Sequence, residues 1–204
     1  MNISPTAKHS YFTDLYRASD DPYAVRTRWY EQRKRQLLLA SLPSPSYANA
    51  FEPGCGVGEL TVGLAARCTR LLASDFTEDA VQIARQRTAP LTNVEVIRQT
   101  LPADWPHPSA PFDLIVLSEM GYFLDADSWA QVVDAIRTSL APGGTLVACD
   151  WLPDFAERAQ PTRALHAALD GLGLHTLVRH EEADFLLRVW SADERSVAQR
   201  ERIR

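Results

Sequence analysis

The chain has 204 residues, 46% hydrophobic and 23% charged, enough for a single domain with a buried core and no need of disulfide staples. Its net charge of -5 lacks the basic excess of a nucleic-acid or anionic-membrane surface, so the expected partner is a small-molecule acceptor. No apolar stretch approaches the roughly 20 residues of a membrane span, and the opening MNISPTAKHS has no apolar centre of a signal peptide, so a cytoplasmic protein is expected, as a monomer or homodimer.

In chain order, residues 11–42 read as mostly helical and stop at Leu42-Pro43-Ser44-Pro45, where proline cannot continue a helix. This makes residues 1–42 a helical cap or lid. Residues 43–190 form the core, with β-like runs at 48–52, 71–75, 94–98, 112–117, 144–150, 174–180 and 184–190. Helical segments are expected between the first six runs, with 58–68, 77–87, 128–140 and 162–171 the clearest. Thr77 is placed to cap the second before Glu78 and Asp79, and Pro142-Gly143-Gly144 to stop the third. Such alternation predicts a parallel sheet. Only Glu181, Glu182 and Ala183 separate the last two runs, too few for a crossover, so that pair is an antiparallel hairpin. The fold class is α/β and Rossmann-like: seven strands, mostly parallel, with an antiparallel last strand and the N-terminal cap. Residues 191–204 are a charged tail.

The densest chemical signal is Glu52-Pro-Gly54-Cys55-Gly56-Val-Gly58 after the first strand, with Asp75 closing the second. Glycines permit tight curling and close approach of a ligand. An acidic residue on the neighbouring strand can accept from ribose hydroxyls. The dinucleotide fingerprint puts its third glycine where this chain has Glu59, and the spacing fits S-adenosylmethionine better, with Glu52 acting through the loop amides. A plain strand-to-helix turn is the alternative for the glycines alone. Cys55, Cys68 and Cys149 form no C-x-x-C, so no metal site is expected. Only Lys8 and Lys34 are lysines, which removes the Tyr-x-x-x-Lys pair of short-chain dehydrogenases from the core.

The end of the fourth strand, Leu117-Ser118-Glu119-Met120-Gly121-Tyr122, is where ligands gather in open α/β sheets. Ser118 is expected at the cofactor, and Glu119, Tyr122 and His166 are the catalytic candidates. Glu119 or His166 can bind an ammonium and take its proton. The alternatives are that Glu119 caps the turn or binds the cofactor and that His166 is a surface or satisfied core histidine. Among Tyr11, Tyr16 and Trp29 at least one is expected in a lid, the others packing on the sheet. The run Arg26, Arg28, Arg33, Lys34, Arg35 reads as a solvated helix face or, if functional, as a binder of an acceptor's carboxylate or phosphate.

Architecture and glycine motif resemble those of the class I S-adenosylmethionine-dependent methyltransferases. More narrowly, Asp21-Pro22-Tyr23, Arg28-Trp29-Tyr30-Glu31, Phe51-Glu52-Pro53-Gly54-Cys55-Gly56, Phe112-Asp-Leu-Ile-Val-Leu-Ser118-Glu119 and Tyr122-Phe123-Leu124 resemble nodulation protein S and its relatives, over roughly residues 11–190. The resemblance implies N-methylation of an amine, typically on a partly deacetylated chitin-type oligosaccharide, with S-adenosylhomocysteine as product and no metal. It places Gly54, Cys55, Gly56 and Gly58 along the cofactor, Asp75 on its ribose and Phe76 beside its adenine. Where many relatives have an Asp for the adenine amino group, this chain has Gln99-Thr100-Leu101, so Thr100 or the backbone substitutes, with Leu101 alongside. Where many nodulation-type relatives have a His before the Trp, this chain has Cys149-Asp150-Trp151, so a general base differs. O-methylation, an S-adenosylmethionine-binding regulator without turnover and, less favoured, a nicotinamide-dependent oxidoreductase are the competing readings.

Overall fold

The computed structural model describes residues 5–204. Residues 1–4, where the expected cap and the segment read for a leader begin, lie outside the described residues. Two helices precede the sheet, α1 (Pro5–Ala18) and α2 (Trp29–Ser41), instead of one mostly continuous helix. The break has a local cause. Asp21 turns its carboxylate onto the amides of Val25 (2.8 Å) and Arg26 (3.1 Å), an alternative to helical pairing that Pro22 reinforces.

The core follows as β1 (Tyr47–Pro53), α3 (Glu59–Ala65), β2 (Cys68–Asp75), α4 (Glu78–Thr88), β3 (Val94–Arg98), β4 (Phe112–Ser118), α5 (Ala126–Ser139), β5 (Leu140–Trp151), α6 (Thr162–Asp170), β6 (His175–Glu181) and β7 (Phe185–Ser191). The sheet order is β3-β2-β1-β4-β5-β7-β6. Strands β1 to β5 run parallel, whereas β7 inserts antiparallel between β5 and β6. The strand order reverses between β1 and β4, and there the carboxyl ends open a crevice. In β4, Leu114 and Val116 enter one core with Leu38 and Leu64, while Ile115 and Leu117 enter the other with Trp129 and Ile136. A strand covered on both faces must be apolar throughout, as Phe112–Ser118 largely is.

Four details differ from expectation. No helix joins β3 to β4; residues 99–111 carry Pro102, Pro106, Pro108 and Pro111, which remove the amides a helix needs. Helix α3 ends at Ala65, and β2 already begins at Cys68. Helix α5 starts two residues before the expected Ser128, because Asp125 caps it by accepting from the Ser128 amide at 2.8 Å. Pro142-Gly143-Gly144 lies within β5, where the register shifts between Phe112↔Leu140 and Leu114↔Thr145, so it shapes a bulge after a helix that has already ended. In the tail, Ser196 and Gln199 form a capping box on the short α7 (Val197–Arg200). Among the described residues no helix is long and apolar enough to cross a membrane.

Candidate active site

The crevice at the β1/β4 reversal is a cavity of about 700 Å³. One wall is the turn after β1. Gly54 and Gly56 have φ of +72° and +53°, and a Cβ on Gly54 would stand 2.8 Å from Met120 Cβ, closer than side chains tolerate. Asp75 ends β2 and holds this turn: it accepts from the Gly56 amide at 3.1 Å and, at the start of α4, from the Thr77 amide at 2.9 Å. Burial pushes its carboxyl up and these bonds pull it back. Each oxygen retains a lone pair for a ligand hydroxyl. Thr77 does stand at the N-cap of α4, without a side-chain capping bond.

Glu52, at the end of β1, lines the same cavity and is 2% exposed. Its Oε2 has no hydrogen-bond partner among the described residues, and burial pushes the carboxyl up to about 8. An orphaned polar atom of this kind calls for a polar ligand. Phe76, Thr100, Leu101 and Ser118 also line the cavity. The Thr100 amide donates to Asp104 at 2.8 Å.

Facing this wall, Glu119 directly follows β4 with φ +56°, uncommon for a residue with a side chain. Its Oε1 accepts from Lys34 Nζ at 2.5 Å, and its Oε2 from the Tyr122 hydroxyl at 2.6 Å and the Trp151 amide at 2.9 Å. Lys34 is 6% exposed and also meets Glu31 at 3.0 Å. Burial alone would depress its ammonium, but Glu119 and then Glu31 outweigh that and raise it above its ordinary range. The network ties the cap helix α2 to the ends of β4 and β5. Burial, and after it the Glu119 charge, raise Tyr122.

From α1, Tyr11, Phe12 and Tyr16 reach the cavity, Phe12 meeting Phe76 and Phe123 edge-on at 5.2 and 4.9 Å. Tyr11 and Tyr16, two of the three rings expected in a lid, therefore line the cavity. Trp29 is 67% exposed and outside the cavity wall. His166 is not brought to the cavity: it is fully buried on α6, its Nε2 3.0 Å from Asp150 Oδ2, in a core-histidine setting.

Sequence reasoning missed Lys34, which it had placed on a solvated or acceptor-binding face. Tyr30, Lys34 and Leu38 are spaced by four on α2, and Leu38 is 1% exposed; that spacing is the signal that Lys34 points inward. Trp151 at the end of β5, and Phe155 and Glu157 beyond it, also line the cavity and were not singled out as site residues.

A mostly parallel sheet whose strand order reverses between β1 and β4, a triple-glycine turn held by Asp75 and an orphaned Glu52 carboxyl together define a class I S-adenosylmethionine-dependent methyltransferase site. A family model described as a methyltransferase domain matches residues 50–144. The solved structure of a protein assigned as a methyltransferase, from Pseudomonas syringae, is 44% identical with a TM-score of 0.71, covering 80% of this chain and 99% of that one. The chain belongs to the methyltransferase family. Within it the likeness is to nodulation protein S: 34% identity over 132 residues to that of Rhizobium tropici, covering 64% of this chain and 55% of that protein. The N-methyltransferase NodS from Bradyrhizobium japonicum WM9, solved with S-adenosylhomocysteine, is 26% identical with a TM-score of 0.78, covering 90% of this chain and 97% of that one. The alignments span 55 to 62% of the length of the nodulation protein S relatives.

Proposed function

We propose that the chain transfers a methyl group from S-adenosylmethionine to an amine nitrogen of a small acceptor, an amino sugar or oligosaccharide by its likeness to nodulation protein S. The observation that carries this reading is one cavity shared by two walls: the glycine turn with Asp75 and Glu52, and the Glu119, Tyr122 and Lys34 network. The first wall suits the cofactor. Asp75 accepts from ribose hydroxyls, Glu52 answers the amino group of the methionine part, and Phe76, Thr100 and Leu101 flank the adenine, with Ser118 beside the strand ends.

When bound, S-adenosylmethionine supplies a methyl group on a positively charged sulfur. The chain's own task is alignment and exclusion of water, and positioning contributes about 7 to 11 kcal/mol in such reactions. Tyr122 is presented to the acceptor with its hydroxyl oriented by Glu119. Lys34 keeps Glu119 in place and draws the cap against the sheet, while Tyr11, Phe12 and Tyr16 cover the cavity. Among the described residues, no group of three or more His, Cys, Asp or Glu is placed to hold a metal.

The test is incubation with isotope-labelled S-adenosylmethionine and a panel of amino sugars, simple amines and matched alcohols, read by mass spectrometry. Label on nitrogen supports the reading. Label on oxygen alone replaces it by O-methylation, and cofactor binding without transfer to any acceptor points to a regulator.

A further inference from the structure

The loop after β5 is fixed by Arg158. Its guanidinium donates to the carbonyls of Trp151 (2.8 Å) and Pro153 (2.9 Å) and to the Thr162 hydroxyl (3.0 Å). It also lies 5.2 and 4.9 Å from the ring centres of Tyr122 and Phe155, and the Ala159 amide donates to the Tyr122 carbonyl at 2.7 Å. A segment held at so many points presents its neighbours in one orientation, and those that reach the cavity wall are Phe155 and Glu157.

An aromatic surface runs continuously through this part of the cavity. Tyr122 meets Phe155 at 5.1 Å, Phe155 meets Phe123 at 5.7 Å, Phe123 meets Phe12 at 4.9 Å, and Phe12 meets Tyr11 at 5.2 Å. Glu157 stands at its rim. The Tyr11 and Tyr23 hydroxyls are both raised, first by burial and also by the Glu157 charge, which puts that carboxylate near both rings.

Most other acids of the wall are already engaged. Glu31 and Glu119 are engaged by Lys34, Glu59 by Arg26 and Arg87, and Asp21 and Asp75 by backbone amides. Glu157, half-buried, has no hydrogen bond or ion pair among the described residues. A carboxylate without a cation, beside π faces, is the arrangement that recognises an organic cation.

We infer that Glu157, with the rings of Tyr11 and Tyr23 on the same cavity wall, receives the acceptor as its ammonium and makes the cavity select cationic amines over alcohols and acids, the Tyr122 and Phe155 rings being held by Arg158. The inference rests on the methyltransferase reading and names the acceptor-recognition residue within it. The ammonium docks at the rim, away from the Glu119 carboxylate, whose oxygens already take three donors, and loses its proton to solvent before the neutral nitrogen takes the methyl group.

The experiment is a ligand-observed NMR titration of protein saturated with S-adenosylhomocysteine, using benzylamine, benzyl alcohol and benzoate as probes of similar shape. The expected result is benzylammonium binding about tenfold more tightly than the alcohol. Glu157→Gln should abolish that preference while leaving S-adenosylhomocysteine affinity within about twofold, which also reports that the variant is folded. Equal binding of ammonium and alcohol, no ammonium binding, or a preference that survives Glu157→Gln overturns the inference. So does preference for benzoate, which Arg28 and Arg35 on the α2 side of the cavity would give. Absence of S-adenosylhomocysteine binding is a separate outcome that refutes the methyltransferase reading and the inference with it.

Discussion

Replacing Glu52 by Gln removes a carboxyl that is 2% exposed, orphaned at Oε2 and pushed by burial from 4.5 to about 8. Between those values the folded protein keeps a proton that the unfolded chain has released. Stability therefore falls as pH rises through that window, and the loss is complete above about 8. The displacement corresponds to at most about 5 kcal/mol. Asp75 and Asp150 are also raised by burial and act in the same direction, so the informative quantity is a difference between two proteins. Urea unfolding of the parent protein and Glu52→Gln at about pH 5 and about pH 8.5 should show the variant losing about 4 kcal/mol less on going to the higher pH. Ligand binding gives a second reading. At pH 7 a group titrating near 8 is about nine-tenths protonated, and pairing with the ligand's amino group expels that proton. Calorimetric titration of S-adenosylhomocysteine in buffers of different ionisation enthalpy should then show release of about 0.9 proton from the parent protein and nearly none from Glu52→Gln. Identical pH dependence of stability in the two proteins refutes the raised Glu52 carboxyl, and no proton release on binding refutes the assignment of Glu52 to the methionine end of the cofactor.

Three substitutions test the remaining contacts. Asp75→Ala should weaken S-adenosylhomocysteine binding by about 1.5 to 3 kcal/mol, and unchanged affinity in calorimetry removes Asp75 from the ribose. Lys34→Met leaves Glu31 and Glu119 facing each other without their cation, and urea unfolding should show a loss on the order of 3 kcal/mol; a neutral result means the network does not secure the cap. Glu119→Gln should lower turnover more than cofactor affinity in steady-state kinetics and calorimetry. Parallel losses in both would make Glu119 a cofactor ligand instead.

The parts of the fold that were legible from the residues are those set by local physics. Alternating apolar runs and helices define the parallel sheet, and the three residues between β6 and β7 leave room only for a hairpin. The glycine turn and Asp75 were readable for the same reason, because φ above zero and a nearby acceptor must be written into the chain itself. The division of α1 from α2 was harder to see, since it depends on where the Asp21 carboxylate turns. Lys34 was misread because a basic run looks solvated until its spacing to Tyr30 and Leu38 is weighed, and its counter-charge Glu119 lies 85 residues away. His166 shows the opposite limit: the residue type suits proton transfer, but only the folded chain reveals that α6 turns it to Asp150 inside the core. Glu157 stood in an irregular loop, and its place at the cavity depends on the Arg158 fork, which no periodicity announces.

The most direct test is calorimetric titration of the protein with S-adenosylhomocysteine, with NAD(P)H titrated in parallel. The cavity built from Glu52, the glycine turn and Asp75 predicts micromolar binding of S-adenosylhomocysteine and no binding of the nicotinamide nucleotide. Binding of the nucleotide, or of neither ligand, contradicts the assignment of that cavity to S-adenosylmethionine.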